Sequence, residues 1–156
     1  MRIFEATALD HAALLRGDAP RHFGLADTPI ATPEIIAMLA EMAEEVGQEF
    51  SPTSWLIVEG YDVVGLCSIK LPPEDGLFEI GYGIASSHHN RGIASRAVAQ
   101  VVAWARRQPG LRTIIAETLP DNIASQRVLM RNGFVAVSDR LDEEDGIVIC
   151  WRCRLR

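Results

Sequence analysis

One stretch constrains the fold of this chain more than any other: a strand, a short polar loop and a helix that follow each other from Leu77 to Arg107. The loop reads His89-Asn90-Arg91-Gly92-Ile93-Ala94. Backbone N–H groups in the first turn of a helix have no partner within the helix, and the helix dipole adds positive potential there. A phosphate group suits such a place, and glycine at position 92 lets it come close. The stretch predicts an anion-binding loop, with an ordinary tight strand-to-helix connection as the alternative.

Other phosphate-binding patterns do not fit this loop. It has no Gly-x-x-x-x-Gly-Lys-Ser/Thr segment, which binds nucleoside triphosphates, and no Gly-x-Gly-x-x-Gly segment, which binds dinucleotides. The chain has a formal net charge of −6, whereas surfaces that bind nucleic acid are basic. The sequence therefore argues against nucleic acid as the main partner.

Size and composition indicate one soluble domain. The chain has 156 residues, of which 48% are hydrophobic and 23% charged, and this suits a single core. No apolar run approaches the length that spans a bilayer, and residues 1–6 lack the apolar centre of a secretory signal. We expect one cytoplasmic domain over residues 1–156 with no membrane partner.

Periodicity and turn residues predict a mixed α/β order, with most strands joined as hairpins and one helical crossover in the middle. Seven strands are expected, at 2–9, 54–58, 63–69, 77–85, 112–119, 134–138 and 146–155. Four helices are expected: one from Asp10, one opened by Thr32-Pro33, the long one after the loop, and one capped by Asp121 or Asn122. Segment 17–33 is rich in turn formers and is expected to be irregular.

The three cysteines fit a reducing compartment and a structural role. Cys150 and Cys153 form a Cys-x-x-Cys string inside a predicted strand, where residues three apart point to opposite faces. The two thiols therefore cannot readily share a metal ion. The histidines show no ligand spacing on one helix face, and we expect no metal site.

Glu117, in the fifth predicted strand, is one candidate for a general base. Alternation places it on one face with Thr113, Ile115 and Leu119. Apolar neighbours disfavour the charged form of a carboxyl group, so the pKa of Glu117 is expected to rise. A base that works near neutral pH needs such a pKa. A surface glutamate or a salt-bridged one is the alternative.

Glu79, in the fourth predicted strand, is the second candidate. It shares a face with Gly81 and Gly83, while Phe78, Ile80, Tyr82 and Ile84 form the apolar face. Two glycines beside an acid suggest that something approaches the backbone closely. A solvent-exposed face is the alternative.

Ser125 is a candidate hydroxyl near the start of the last helix. A repeat of 3.6 residues places Ala124, Ser125, Val128 and Leu129 on one inward face. The hydroxyl would point at the core or at a ligand. The alternative is a serine bonded to its own backbone at the start of a helix.

These segments together resemble the GNAT-type N-acetyltransferase superfamily over nearly the whole chain. Residues 89–94 are similar to the family's acetyl-CoA loop, Gln/Arg-x-x-Gly-x-Gly/Ala. Residues 117–125, with Asn122-x-x-Ser125, and the helix that closes in Asn132-Gly133-Phe134 look most like the RimJ/RimL branch, as does Glu79-Ile80-Gly81-Tyr82. That branch acetylates protein N-terminal amines and various small amines. The resemblance implies a mostly antiparallel sheet that splays between the fourth and fifth predicted strands.

The sequence departs from the family pattern at three positions. His89 stands where the family usually has glutamine or arginine, and Asn90 where glycine is frequent. Met130 occupies the place where some members have a tyrosine that acts as general acid. The resemblance to the RimJ/RimL branch then assigns that role to Ser125.

The resemblance also implies a mechanism without a covalent intermediate. The pyrophosphate of acetyl-CoA binds His89, Asn90, Arg91, Gly92, Ile93 and Ala94, its pantetheine pairs with the strand edge near Ile84, and Asn122 orders the strand end beside it. Glu117 deprotonates an acceptor amine, with Glu79 as the second candidate. A backbone N–H of the fourth predicted strand stabilises the oxyanion, and Ser125 protonates or hydrogen-bonds the leaving thiolate.

The acceptor and the competing functions are less constrained. Glutamates at 41, 44, 45 and 49 and the acidic loop 142–145 are either a solvated surface or a field that attracts a cationic acceptor. The expected acceptor is a polyamine, aminoglycoside, basic amino acid or peptide N-terminus. A catalytically silent acyl-CoA-binding module on the same fold and an enzyme for a longer acyl chain remain alternatives. A homodimer is compatible with the sequence.

Overall fold

A mixed sheet forms the centre of the structure, a computed structural model that describes residues 1–156. Its strands are β1 (Arg2–Glu5), β2 (Gly24–Leu25), β3 (Ser54–Glu59), β4 (Asp62–Ile69), β5 (Leu77–Ile84), β6 (Thr113–Thr118), β7 (Val135–Asp142) and β8 (Gly146–Arg154). The helices are α1 (Ala8–Leu15), α2 (Pro33–Gly47), α3 (Ile93–Arg106) and α4 (Ile123–Arg131), with a 3₁₀ turn at Ser86–His88. The strand order is β1-β3-β4-β5-β6-β8-β7, and β2 pairs with β4. None of the helices is both long and apolar enough to cross a membrane.

The predicted mixed α/β order is confirmed, with three corrections in the N-terminal part of the chain. The first strand ends at Glu5 instead of residue 9, and α1 begins at Ala8 instead of Asp10. The cause is a capping box: Asp10 N–H donates to the Thr7 hydroxyl, and Thr7 N–H donates to the Asp10 carboxylate over 2.7 Å. Strand β2 was not predicted and lies in the segment expected to be irregular. It counts as a strand because its two residues pair in parallel with Asp62 and Val63.

Alternation along the strands divides the core between two faces of the sheet. The larger cluster of 22 buried residues, among them Trp55, Phe78 and Ile114, packs against α3 and α4. The smaller cluster, which includes Leu56 and Val63, lies toward α1 and α2. On α2 the buried residues are Ile36, Ala43 and Val46, whereas Ile35 and Met38 are exposed. Helix α2 contributes to both clusters, because Val46 belongs to the larger one and Leu39 packs against the smaller one.

The expected splay lies between β5 and β6. These strands run parallel and pair only at Leu77↔Thr113, Phe78↔Ile114 and Glu79↔Ile115. On its other edge β5 stays paired with β4 as far as Ile84. Lys70 N–H donates to Glu79 O and Ala85 N–H to Val64 O, so the alternate residues Ile80, Tyr82 and Ile84 turn their backbone groups toward the opening. The splay thus leaves part of a strand edge free beside β6.

Candidate active site

A cavity of about 520 Å³ opens where β5 and β6 part. Its size is that of a small-molecule site. The lining includes every residue predicted to bind a cofactor: Ile84, His89, Asn90, Arg91, Gly92, Ile93, Ala94, Asn122 and Ser125. The fold thus brings together segments that lie some thirty residues apart in the chain.

The loop that begins α3 has the backbone of an anion site. Asn90 (φ 61°) and Gly92 (φ 72°) adopt left-handed conformations, which glycine and asparagine tolerate best. A Cβ at position 92 would meet no atom within 4 Å, so the space beside Gly92 is open. The first bond of the helix runs from Arg96 N–H to Gly92 O over 3.1 Å, and the N–H groups from Asn90 to Ser95 donate to no protein acceptor. These donors are therefore free for an anionic ligand.

His89 anchors this loop to the strand before it. Its Nε2 lies 2.7 Å from the carbonyl oxygen of Ile84. A carbonyl oxygen only accepts, so Nε2 is the nitrogen that carries hydrogen. The imidazole thus takes one of the two lone pairs of the Ile84 carbonyl, at the strand edge where the pantetheine arm is expected to pair.

Basic side chains surround the cavity although the chain is acidic overall. Arg91, Arg127 and Arg131 line it together with His88. The sequence reasoning missed Arg127 and Arg131. Their i,i+4 spacing on a helix that starts at a candidate site residue was the available signal. Clustered positive charge favours a phosphate-bearing ligand.

Ser125 and Tyr82 meet across the opening. Asn122 caps α4, because its Oδ1 accepts the N–H of Ser125 over 3.1 Å. The Ser125 hydroxyl lies 2.8 Å from the Tyr82 hydroxyl, which also lies 3.3 Å from the Ser125 carbonyl oxygen. The serine hydroxyl therefore contacts a tyrosine at the cavity wall and is not bonded to its own backbone. Alternation placed Tyr82 on the apolar face, but its hydroxyl was not among the predicted site groups, although a buried tyrosine hydroxyl needs a polar partner.

The expectation of a raised pKa for Glu117 is wrong, because the carboxylate is salt-bridged. Arg140 binds both carboxylate oxygens, with Nη2 2.7 Å from Oε1, and the thiol of Cys150 lies 3.5 Å from Oε2. Hydrogen bonding to the Arg140 guanidinium holds the pKa of Glu117 below its ordinary value. Arg140 comes from β7, whose residues pair with β8 and not with β6. Glu117 is therefore ionised at neutral pH and tied to a cation.

Glu79 is also ion-paired, by a single lysine. Lys70 Nζ lies 2.9 Å from Oε2 of Glu79, in an alignment that does not make a hydrogen bond, and the Glu79 side chain is 13% exposed. The stem of Lys70 lies along Gly81, where a Cβ would come within 3.4 Å of its Cδ. A Cβ at Gly83 would lie 3.8 Å from Ile30 O. A Cβ at either glycine would thus make only ordinary van der Waals contacts, so no segment of the chain makes the close approach that was expected there.

The positions of Cys150 and Cys153 follow the alternation of side chains along their strand. Cys153 is buried in the larger core, whereas Cys150 lies beside Glu117 on the opposite face. Cys67 is fully buried, and burial raises the pKa of its thiol to about 12. All three are free thiols.

Two curated bacterial proteins resemble the chain in sequence. An uncharacterized N-acetyltransferase, YjdG, of Bacillus subtilis is 33% identical over 85 residues, which cover 53% of this chain and 51% of that protein. The ribosomal-protein-serine acetyltransferase of Escherichia coli is 29% identical over 82 residues, covering 52% and 46%. The chain thus matches about half the length of these relatives.

Solved structures resemble it over almost the full chain. YncA of Salmonella typhimurium, a putative acetyltransferase solved with its cofactor acetyl-CoA, has a TM-score of 0.67 at 19% identity and covers 100% of this chain and 94% of its own. A variant of the spermidine N-acetyltransferase SpeG of Vibrio cholerae has a TM-score of 0.71 at 12% identity, covering 99% and 95%. These likenesses show the GNAT fold. The model of the acetyltransferase (GNAT) domain matches residues 3–135, and this chain belongs to the GNAT acetyltransferase family.

Proposed function

We propose that the chain forms one domain that transfers an acetyl group from acetyl-CoA to a primary amine. The observation that carries the proposal is the row of unpaired backbone N–H groups from Asn90 to Ser95 beside the open space at Gly92. These donors suit the pyrophosphate, and the arginines around the cavity add positive charge for a further phosphate. The solved relative with acetyl-CoA supports this choice of cosubstrate.

The free edge of β5 suits the pantetheine arm. Backbone groups of Tyr82 and Ile84 face the opening between the strands, and an extended arm with amide groups can pair with them as an added strand would. The Ile84 carbonyl accepts from His89 with one of its two lone pairs, so the other lone pair remains for the arm. A backbone N–H on this edge would stabilise the oxyanion.

The contacts of the two glutamates support Glu79 over Glu117 as the base. Arg140 engages both oxygens of Glu117, whereas Lys70 engages one oxygen of Glu79. Glu79 also lies at the last residue pair before β5 and β6 separate. An amine that enters the splay would meet Glu79 there, directly or through water. This reverses the order in which the sequence ranked the two residues.

We infer that the acceptor is a cationic amine and that the chain falls in the RimJ/RimL-like branch. A second cavity of about 490 Å³ is lined by Glu49, Glu74 and Glu79 together with apolar side chains such as Leu71 and Ile115. Three carboxylates around an apolar space suit an ammonium on a carbon chain. The E. coli relative and the Asn122 cap beside Ser125 support the branch.

The test is thermal unfolding with acetyl-CoA, CoA and ATP, followed by thiol release with an amine panel. A ligand that binds only the folded state raises the unfolding midpoint. We expect acetyl-CoA and CoA to raise it and ATP to leave it unchanged, and we expect thiol release to require an amine such as spermidine. No shift with saturating acetyl-CoA would refute the proposal.

The ion pairs of both glutamates favour one second candidate, a catalytically silent acyl-CoA-binding module. A carboxylate held by a cation is a poor proton acceptor until the cation leaves. This candidate predicts CoA binding with no amine-dependent thiol release.

A further inference from the structure

Tyr82 and Ser125 form a hydrogen-bonded pair that joins the two walls of the cavity. Tyr82 belongs to β5 and Ser125 to the first turn of α4, 43 residues apart in sequence, and both line the cavity. Their hydroxyl oxygens are 2.8 Å apart. The Asn122 cap occupies the backbone N–H of Ser125, which fixes the serine backbone while its side chain stays with the tyrosine.

The number of hydrogens decides which hydroxyl can serve a ligand. Each hydroxyl has one hydrogen. If Ser125 donates to a group in the cavity, its oxygen is free to accept from Tyr82. In the other arrangement Ser125 donates to Tyr82, and Tyr82 donates to the Ser125 carbonyl oxygen at 3.3 Å. A ligand atom that accepts from Ser125 therefore selects the arrangement in which Tyr82 is the donor.

The surroundings keep Tyr82 in its donor form. Burial raises the pKa of the Tyr82 phenol to about 12, so it keeps its hydrogen throughout the neutral range. The other tyrosine, Tyr61, is 80% exposed in the turn between β3 and β4. Met130, on the same helix as Ser125, is 54% exposed and has no hydroxyl. Tyr82 thus supplies the phenol at the cavity wall.

We propose that Tyr82 is a positioning residue for the proposed acetyl transfer: it donates to Ser125 and so directs the Ser125 hydroxyl at the sulfur that leaves the thioester. This inference rests on the proposed function. In the reaction the amine nitrogen bonds to the acetyl carbon and the C–S bond breaks, with its electron pair going to sulfur. The amine proton goes to the base, and the thiolate takes up one proton from solvent. Ser125, held by Tyr82, stabilises the thiolate by a hydrogen bond, and both hydroxyls end the cycle unchanged.

The experiment measures the pKa of the CoA thiol in its complex with the protein, which needs no acceptor. Thiolate absorbance in the ultraviolet is followed against pH, with the desulfo-CoA complex as the blank. The proteins are wild type, Tyr82→Phe, Ser125→Ala, the double variant, and Tyr61→Phe as the matched control. Affinity for desulfo-CoA, measured alongside, reports whether the cavity is intact.

We expect the wild-type complex to favour the thiolate about tenfold over free CoA, the size of one hydrogen bond to a charged acceptor. Tyr82→Phe and Ser125→Ala should each lose most of this gain, and the double variant should lose no more, because the two hydroxyls act in series. Tyr61→Phe should match wild type in both thiol pKa and affinity for desulfo-CoA. Tyr82→Phe should keep that affinity within twofold, because it leaves the backbone of β5 intact and desulfo-CoA lacks the sulfur.

The inference would be overturned by a Tyr82→Phe complex with the wild-type thiol pKa, or by losses that add in the double variant. A wild-type complex that leaves the thiol pKa unshifted would overturn it as well. Absence of CoA binding to wild type would refute the proposed function and this inference together. A shifted thiol pKa without acetylation of any amine would refute the proposed function alone.

Discussion

The loop at the start of α3 leaves its backbone donors unpaired. The face of β5 and β6 that carries Glu79 and Glu117, here called the carboxylate face, pairs its charged groups with cations. From Asn90 to Ser95 the backbone N–H groups have no protein acceptor. On the carboxylate face, Glu79 is paired with Lys70 and Glu117 with Arg140. The loop is therefore ready for an anion without rearrangement. Glu117 must release Arg140 before it can serve an amine, whereas Glu79 offers only the oxygen that Lys70 leaves. Ligand binding and chemistry thus place different demands on the two regions.

The largest expected effect is a loss of acetyl-CoA affinity when the loop glycine is replaced. Gly92→Ala places a side chain at φ 72° and beside the phosphate space, so we expect the affinity for acetyl-CoA to fall about a hundredfold, as two hydrogen bonds to a charged group are lost. Calorimetric titration with acetyl-CoA measures this. Gly17→Ala is the matched control, because Gly17 has φ 79° and equally open space after α1. Both variants should lose about 1–2 kcal/mol of stability, and equal acetyl-CoA affinity in the two would contradict the assignment of the loop.

The next effect separates the two glutamates. Glu79→Gln should lower kcat about a hundredfold, because a general base contributes on that scale, while Glu117→Gln should lower it less than tenfold. Steady-state kinetics with acetyl-CoA and spermidine as the probe amine measures both variants, and acetyl-CoA affinity should be unchanged in each. A larger loss of kcat in Glu117→Gln than in Glu79→Gln would indicate that Glu117 is the general base.

A smaller effect concerns the anchor of the loop. His89→Ala removes the hydrogen bond to the Ile84 carbonyl, and we expect acetyl-CoA affinity to fall three- to tenfold, the size of one such bond. His89→Gln should restore much of the affinity, because its amide can donate to the same carbonyl. Tighter binding by His89→Ala would instead mean that the imidazole competes with the ligand.

The smallest effect is on acid stability. The pKa of Glu117 is lower in the folded state than in the unfolded chain, so the unfolded chain binds more protons as the pH falls. The pair with Arg140 therefore contributes its full stability above the ordinary pKa of a glutamate, and this contribution is lost as the pH falls through the lower folded value. Chemical unfolding from pH 6 to pH 3 should show a shallower loss for Glu117→Gln than for wild type. Parallel curves would mean that the pair is not maintained in solution.

Local patterns in the sequence predicted the loop at the start of α3 and the two ends of α4 well. The loop glycine, the cap at Asn122 and the glycine end of α4 depend on neighbours within a few residues, so spacing alone locates them. The Thr7-x-x-Asp10 pattern also marked the start of α1, although the apolar run through Leu9 was interpreted as strand. Alternation along β5 assigned Phe78, Ile80 and Tyr82 to one face correctly.

The partners of the site side chains could not be predicted in this way. Arg140 reaches Glu117 from a strand separated from β6 by β8, and β7 carries a bulge that shifts its register. Tyr82 finds Ser125 on a helix 43 residues later. These pairs depend on strand order and on the splay, which fix distances that no spacing in the sequence encodes. The sequence therefore located the candidate residues but assigned the wrong charge environment to Glu117.

The most direct test of the central claim is to follow CoA release and acetylated amine together for the wild-type protein with acetyl-CoA and a panel of polyamines, aminoglycosides and peptides. We expect equal amounts of CoA and acetylated product for at least one cationic amine, and no CoA release above the acceptor-free rate with a neutral analogue. Acetyl-CoA binding without amine-dependent CoA release across the panel would contradict this expectation and identify a silent acyl-CoA-binding module.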